Sequence, residues 1–175
     1  MITDKININN LSEDILSDVF VGIGSNLENP SLQVKEAFKE LSLLRNTKCH
    51  AVSSLYKSKP MGPQNQPDYM NAAAWLKTSL APEHFLNELQ NIEDQHCRDH
   101  DNEHWGPRTL DLDIIVFSDI TMSNNRLTIP HPLAHERGFV LRPLHEIKPD
   151  LYIPNQGYVR ELLQNCKYNS VEKVT

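Results

Sequence analysis

The chain has 175 residues, enough for one domain with a sizeable core. Its 17 basic and 23 acidic residues give a net charge of −6, so no global field draws nucleic acid or an anionic membrane; any bound anion must meet a local cluster of cations. Cys49, Cys97 and Cys166 are an odd number at unpatterned spacing, which argues against a disulfide framework and for a reducing compartment, and the apolar runs fall far short of the ~20 residues that span a bilayer. A soluble, cytoplasmic monomer is expected.

Residues 1–18 carry Asp4, Glu13, Asp14 and Asp18 with no apolar segment, which excludes a signal peptide and suggests a flexible extension with at most a helical turn near Ser12–Leu16. Residues 19–166 should form the folded domain and 167–175 a tail. Val19 to Gly24 alternates branched and small residues, as a central strand does, and its glycines leave room for close packing or binding. Leu27 stands where a dinucleotide-binding G-x-G-x-x-G would need its next glycine, so that site is rejected. Asn29-Pro30 reads as a helix start, followed by Val34, Ala37, Phe38, Leu41 and Leu44 at helical spacing. Cys49–Tyr56 alternates as a second strand.

The twelve residues from Lys57 to Asp68 hold three prolines and a glycine; connections of that length are usually functional or disordered. The strand from Tyr69 to Lys77 then puts Tyr69, Asn71, Ala73 and Trp75 on one face. A ring to stack on beside an amide that donates and accepts suits a flat heteroaromatic ligand, although an edge-strand Tyr and a turn-capping Asn give the same pattern. Pro82 opens a second helix with Phe85, Leu89 and Ile92 buried, and with Gln90 and Glu93 three apart on a neighbouring face. His96, His100 and His104 would line one helical face like zinc ligands, but Asp99, Asp101 and Asn102 are poor helix formers, and a charged loop fits better. Arg98 opens that loop and Arg108 closes it, where two guanidinium groups would suit a polyphosphate.

Thr109 to Phe117 is a strand whose apolar residues alternate with Thr109, Asp111 and Asp113. Side chains two apart on a strand share a face, roughly 6 to 7 Å apart. The two carboxylates repel one another unless a cation lies between them, and Mg²⁺ suits such oxygen donors while keeping positions for water or phosphate. A solvated strand edge is the commoner origin of an isolated D-x-D. Arg126, His131 and Arg137 add further phosphate donors on a short returning strand at 126–128 and the segment after it. A helix from about Pro143 should bury Leu141, Leu144 and Ile147, and another should span 159–166. Strand, helix, strand, strand, helix, strand is the split β-α-β order: an α+β, ferredoxin-like βαββαβ antiparallel sheet with helices on one face and C-terminal helical additions.

Four ordered motifs, GSNL at 24–27, GPQNQPDYMNA at 62–72, WGPRTLDLD at 105–113 and PHPLAHERGFVL at 130–141, resemble the 6-hydroxymethyl-7,8-dihydropterin pyrophosphokinase family of folate biosynthesis over about residues 19–165. The resemblance implies pyrophosphate transfer from ATP to the pterin hydroxymethyl group, with AMP released. It implies two Mg²⁺ ions on Asp111 and Asp113, phosphate-clamping Arg98 and Arg108, and a nucleotide lined by Gln90, Glu93, Ile114, Arg126, Thr128, His131 and Arg137. Tyr69 and Phe139 match two rings that sandwich the pterin, Asn71 the amide that reads its edge, Trp105 a ring that closes over it, and Ser58 and Met61 the loop that contacts it.

The chain departs from the pattern at Lys59, where many members have proline, implying a less rigid pterin loop. His100 and His104 stand where arginine is common, implying weaker or pH-dependent phosphate contacts. Pro132 stands where some members have tyrosine. Two other function classes compete: a kinase or nucleotidyltransferase acting on another phosphate, and a catalytically inactive pterin- or nucleotide-binding module. Retention of both aspartates and both arginines favours the enzyme.

Overall fold

A computed structural model describes residues 16–63, 65–96, 107–167 and 169–174. In chain order the strands and helices are β1 (Ser17–Ser25), α1 (Pro30–Leu43), β2 (Thr47–Val52), β3 (Tyr56–Ser58), β4 (Tyr69–Thr78), α2 (Pro82–Gln95), β5 (Asp111–Phe117), β6 (Met122–Ser123), β7 (Thr128–Ile129), α3 (Gly138–Ile147), β8 (Tyr152–Ile153), β9 (Gly157–Tyr158), α4 (Val159–Asn165) and β10 (Val171–Lys173). The fold is α+β. Its six-stranded antiparallel sheet runs β10-β3-β4-β1-β5, with β2 also paired to β4. None of the described helices is long and apolar enough to cross a membrane.

β1 is central, between β4 and β5, and buries Val19, Phe20, Val21 and Ile23 because both faces of the sheet are covered. A Cβ at Gly22 would lie 3.1 Å from Ile115 Cδ1, so the glycine lets β1 and β5 side chains pack closely. α1 and α2 cover one face through Val34, Ala37, Leu41, Phe85, Leu89 and Ile92. Both begin with the expected proline, and Phe85 meets Phe117 edge-on at 6.1 Å.

The other face is covered by α3 and α4, through Val140, Leu141, Leu144 and Val159 packed on Phe20, Ala73 and Ile115. The two helices of the βαββαβ order therefore share one face as expected, and the C-terminal additions cover the other. α3 also begins earlier than the proline suggested: the Val140 and Leu141 N–H groups both donate to Arg137 O, setting a first turn from Gly138, and Pro143 lies inside the helix. The apolar stripe of Val140, Leu141 and Leu144 holds the helix against the sheet despite the missing N–H.

The strand expected over Cys49–Tyr56 is two strands. Its register against β4 slips between Cys49 and Ala51, and the backbone leaves the ladder at Ser53. There Ser53 N–H donates to Ala73 O and Ser53 Oγ accepts from Ala73 N–H, both at 2.9 Å, so a hydroxyl replaces a backbone carbonyl. β3 then resumes on the same edge of β4, shortening the Pro-rich connection to the residues after Ser58. The returning strand forms as β7, paired to β6 rather than to the main sheet. The segment set apart as a tail puts Val171–Lys173 into the sheet as β10. Of the expected extension, residues 1–15 lie outside the described residues.

Candidate active site

At one end of the sheet, on the α3 face, a cavity of about 250 Å³ lies between β5, β4, the 59–66 segment and the start of α3. The strand alternation puts Asp111, Asp113 and Ile115 on its floor. Arg108 reaches over this floor, its Nη1 donating to Asp111 Oδ1 at 2.7 Å. Burial works to lower the Arg108 pKa, but Asp111, with help from Asp113, more than offsets it and the guanidinium is held above its usual value. Arg137 closes the opposite side; its Cζ lies 5.8 Å from the Phe139 ring centroid.

Asp113 is a strongly perturbed acid. Its side chain is 45 % exposed along the cavity, yet desolvation by the surrounding walls, then the neighbouring Asp111 and Glu93, push its pKa up to about 7, with Arg137 and Arg108 pulling the other way. Two carboxylates on one floor with a third behind them hold more negative charge than these two arginines relieve. That donor set suits a hard divalent cation. Among the described residues, no three His, Cys, Asp or Glu side chains converge as a ready-made cage.

His131 sits beside the pair, its Nε2 3.9 Å from Asp113 Oδ2. Burial, then Arg137, lower its pKa to about 4, so at neutral pH it is an uncharged imidazole. Because Leu133 N–H donates to His131 Nδ1 at 3.2 Å, the ring proton is on Nε2 and points a neutral donor at the floor. The Ile115 carbonyl accepts from His131 N–H, and Gln156 Nε2 donates to His131 O, fixing this residue to β5 and to the β8–β9 turn.

The other half of the cavity is flatter and less charged. Tyr69, Asn71, Ser58, Met61 and Phe139 all line it. Asn71 spends its amide donors inside the protein, on Tyr56 O at 3.1 Å and Ser58 Oγ at 2.9 Å. Its Oδ1 faces the Gly24 wall, where an added Cβ would lie 3.9 Å away. The expected donor-and-acceptor amide is therefore an acceptor toward the cavity. Lys59 also lines the cavity, and its Nζ donates to both Asp68 oxygens at 2.8 and 3.0 Å, closing the base of the 59–68 segment.

The remaining expected residues divide. Glu93 is buried on α2, and its Oε1 accepts from Leu112 N–H at 2.7 Å, which places its carboxylate behind the D-x-D backbone. Arg126 donates to Asn87 Oδ1 at 2.7 Å and Gln90 Oε1 at 3.3 Å, and Thr128 shares a hydroxyl bond with Ser123, so Gln90, Arg126 and Thr128 gather on the α2 side of β5 and do not line the cavity. The Ile114 side chain belongs to the core cluster with α1 and α2. Arg98, Trp105, His100 and His104 lie outside the described residues. His96 is bound by Glu40 and Gln33 of α1, at 2.7 and 2.5 Å.

Sequence reasoning gave no role to Asn26, which the structure makes a hub. It is 2 % exposed; its Nδ2 donates to Gln66 Oε1 and Pro67 O, its Oδ1 accepts from Arg108 N–H at 2.7 Å, and its N–H donates to Arg108 O. Gln66 lines the cavity and accepts from Tyr69 Oη at 3.5 Å. The available signal was a buried-strand terminus ending in an amide, inside a motif that also carried the resemblance.

Residues 20–149 match the model of the family described as 7,8-dihydro-6-hydroxymethylpterin-pyrophosphokinase (HPPK). A 2-amino-4-hydroxy-6-hydroxymethyldihydropteridine pyrophosphokinase from Haemophilus influenzae is 48 % identical over 145 residues, 83 % of this chain and 90 % of that one. Its counterpart from Pseudomonas aeruginosa is 41 % identical over 160 residues, 91 % and 98 % of the two chains. Among solved structures, wild-type Plasmodium falciparum HPPK-DHPS superposes with a TM-score of 0.66 at 15 % identity; the alignment covers 86 % of this chain and spans 44 % of that longer one, a likeness of fold. With matches of this identity and length, the chain belongs to the 7,8-dihydro-6-hydroxymethylpterin-pyrophosphokinase family.

Proposed function

We propose that the protein transfers pyrophosphate from ATP to the hydroxymethyl group of 6-hydroxymethyl-7,8-dihydropterin in folate biosynthesis, releasing AMP. One observation carries this reading: a single cavity joins a carboxylate pair and two arginines to a wall of Tyr69, Asn71 and Phe139. The pterin lies flat between Tyr69 and Phe139, and Asn71 Oδ1 accepts from its edge. Ser58 and Met61 border the ring. The hydroxymethyl oxygen then points at the D-x-D floor. It bonds to the β-phosphorus, losing its proton to solvent, as the bond from that phosphorus to the α,β-bridging oxygen breaks and that oxygen leaves on AMP.

Asp111 and Asp113 would hold two Mg²⁺ ions, which supply charge neutralisation for the triphosphate. Arg108, joined by Arg98, exchanges its contact with Asp111 for phosphate oxygens, where bidentate hydrogen bonds favour developing charge. Neutral His131 donates from Nε2 without adding a cation. The nucleoside reaches past the β5 edge toward Gln90, Arg126 and Thr128, which gather on the α2 side with Glu93 and Ile114 buried beneath. The protein's main contribution is alignment of oxygen, phosphorus and leaving group.

We read the sheet order β5-β1-β4-β2, with α1 and α2 on one face, as the ferredoxin-like arrangement. On this reading, the chain from β1 to β10 forms the pyrophosphokinase domain of a cytoplasmic monomer. The deciding experiment incubates the protein with ATP, Mg²⁺ and the hydroxymethyl dihydropterin and identifies the products. AMP with a pyrophosphorylated pterin is expected; ADP, free pyrophosphate or no turnover would overturn the reading.

A further inference from the structure

The two walls that flank the flat half of the cavity come from different elements. Phe139 and Val140 are on α3, whereas Ser58, Tyr69 and Asn71 are on β3 and β4. Beyond the cavity lining, one carboxylate joins the two elements. Glu146 of α3 accepts from Ser54 N–H at 3.0 Å, Ser54 Oγ at 2.8 Å and Tyr56 Oη at 2.9 Å, all in or just before β3. It also accepts from Lys173 Nζ at 3.0 Å, in β10. Glu146 lies seven residues beyond Phe139, about 10 Å along the same helix.

β10 completes the arrangement. It pairs antiparallel with β3, Val171 opposite Ser58 and Lys173 opposite Tyr56, and Val174 N–H donates to Leu55 O. Arg142, one helical turn before Glu146, donates from Nε to Asn169 Oδ1 at 2.8 Å, so α3 grips the C-terminal segment at two points four residues apart on each side. On the inner side of β3, Tyr56 O and Ser58 Oγ hold the Asn71 amide. Any displacement of β3 therefore turns Asn71, while the same carboxylate sets how far β3 stands from the helix carrying Phe139. The Tyr56 phenol, pushed up to about 12 by burial and then by its bond to Glu146, remains a donor throughout the neutral range.

We propose that Glu146 and Lys173, with β10, are positioning residues for the acceptor: they set the separation and orientation of the walls that receive the flat ring, without touching it. This inference rests on the pterin reading of the cavity. It makes the C-terminal strand a determinant of acceptor affinity, with little effect at the D-x-D floor, to which Glu146 contributes no contact.

The test measures equilibrium affinity of the full-length protein for the hydroxymethyl dihydropterin and, separately, for Mg²⁺·ATP. The variants are Lys173→Ala, Glu146→Gln, Asn169→Ala and Lys173→Arg. The Lys173 side chain is 52 % exposed, so its replacement leaves the core intact. Lys173→Ala and Glu146→Gln are expected to weaken pterin binding about three- to tenfold while Mg²⁺·ATP affinity stays within about twofold. Asn169→Ala should act in the same direction by releasing the same strand, and Lys173→Arg should restore binding. Unchanged pterin affinity in Lys173→Ala and Glu146→Gln, or equal weakening for both ligands, would overturn the proposal. Absence of pterin binding in the unaltered protein would overturn the functional reading itself.

Discussion

Asp113 has a direct pH consequence. Its folded pKa of about 7 stands above the ordinary 3.8. Below pH 3.8 the carboxyl is protonated in both folded and unfolded chains. Between 3.8 and 7 the unfolded chain ionises first, so stability falls as pH rises, and above 7 the loss is complete. Asp113→Asn should therefore stabilise the metal-free protein at pH 8, by about 1–2 kcal/mol once the side chain's exposure is allowed for, and leave it nearly unchanged at pH 4. Thermal unfolding at the two pH values checks this; equal shifts at both would contradict it. Arg108 has a kinetic consequence instead. If, as proposed, it meets the place where phosphate charge develops, Arg108→Ala should raise the barrier of the chemical step by about 2–4 kcal/mol, seen in kcat from single-turnover rates rather than in the Michaelis constants. Both residues were legible from the D-x-D alternation and the Gly-Pro-Arg ahead of it. The neutral state of His131 was not, because it depends on burial and on Arg137 rather than on spacing.

Among the elements, the long periodic ones could be read closely. The proline starts and apolar stripes of α1 and α2 were explicit, and the alternation of β4 and β5 put the cavity residues on the correct face. The breaks were not legible. A strand that leaves its ladder at Ser53 and resumes at Tyr56 has the same residue pattern as a continuous one, since a hydroxyl substitutes for a carbonyl. Ser53→Ala should leave the buried Ala73 N–H without that acceptor and destabilise the fold by about 1–3 kcal/mol in urea unfolding. A loss within a few tenths would show that the bond contributes little. α3 was misread because Gly138-Phe139 ahead of a proline resembles a loop; tertiary burial of Val140, Leu141 and Leu144 outweighed the local signal. Lys59, expected to loosen the segment after β3, instead pairs with Asp68.

At the scale of the molecule, two apolar layers on opposite faces of one sheet leave only one end of that sheet for chemistry, and the cavity lies there. Sequence pattern supplied the layer containing α1 and α2. The second layer's helices, α3 and α4, were legible as C-terminal additions though not the face they cover, and β10 was hidden because a short edge strand has little periodicity of its own. Asn26 belongs to this scale as well, for its partners stand 40, 41 and 82 residues away along the chain. Closing loops of such length is entropically costly, and one side chain makes the three closures interdependent. In hydrogen exchange, the backbone amides of Asn26 and Arg108 should behave as one opening unit, both exchanging faster in Asn26→Ala, whereas independent protection would mean that the segments breathe separately. The cavity's two halves would then be either both assembled or both absent, so that a chain able to receive one substrate is already shaped for the other.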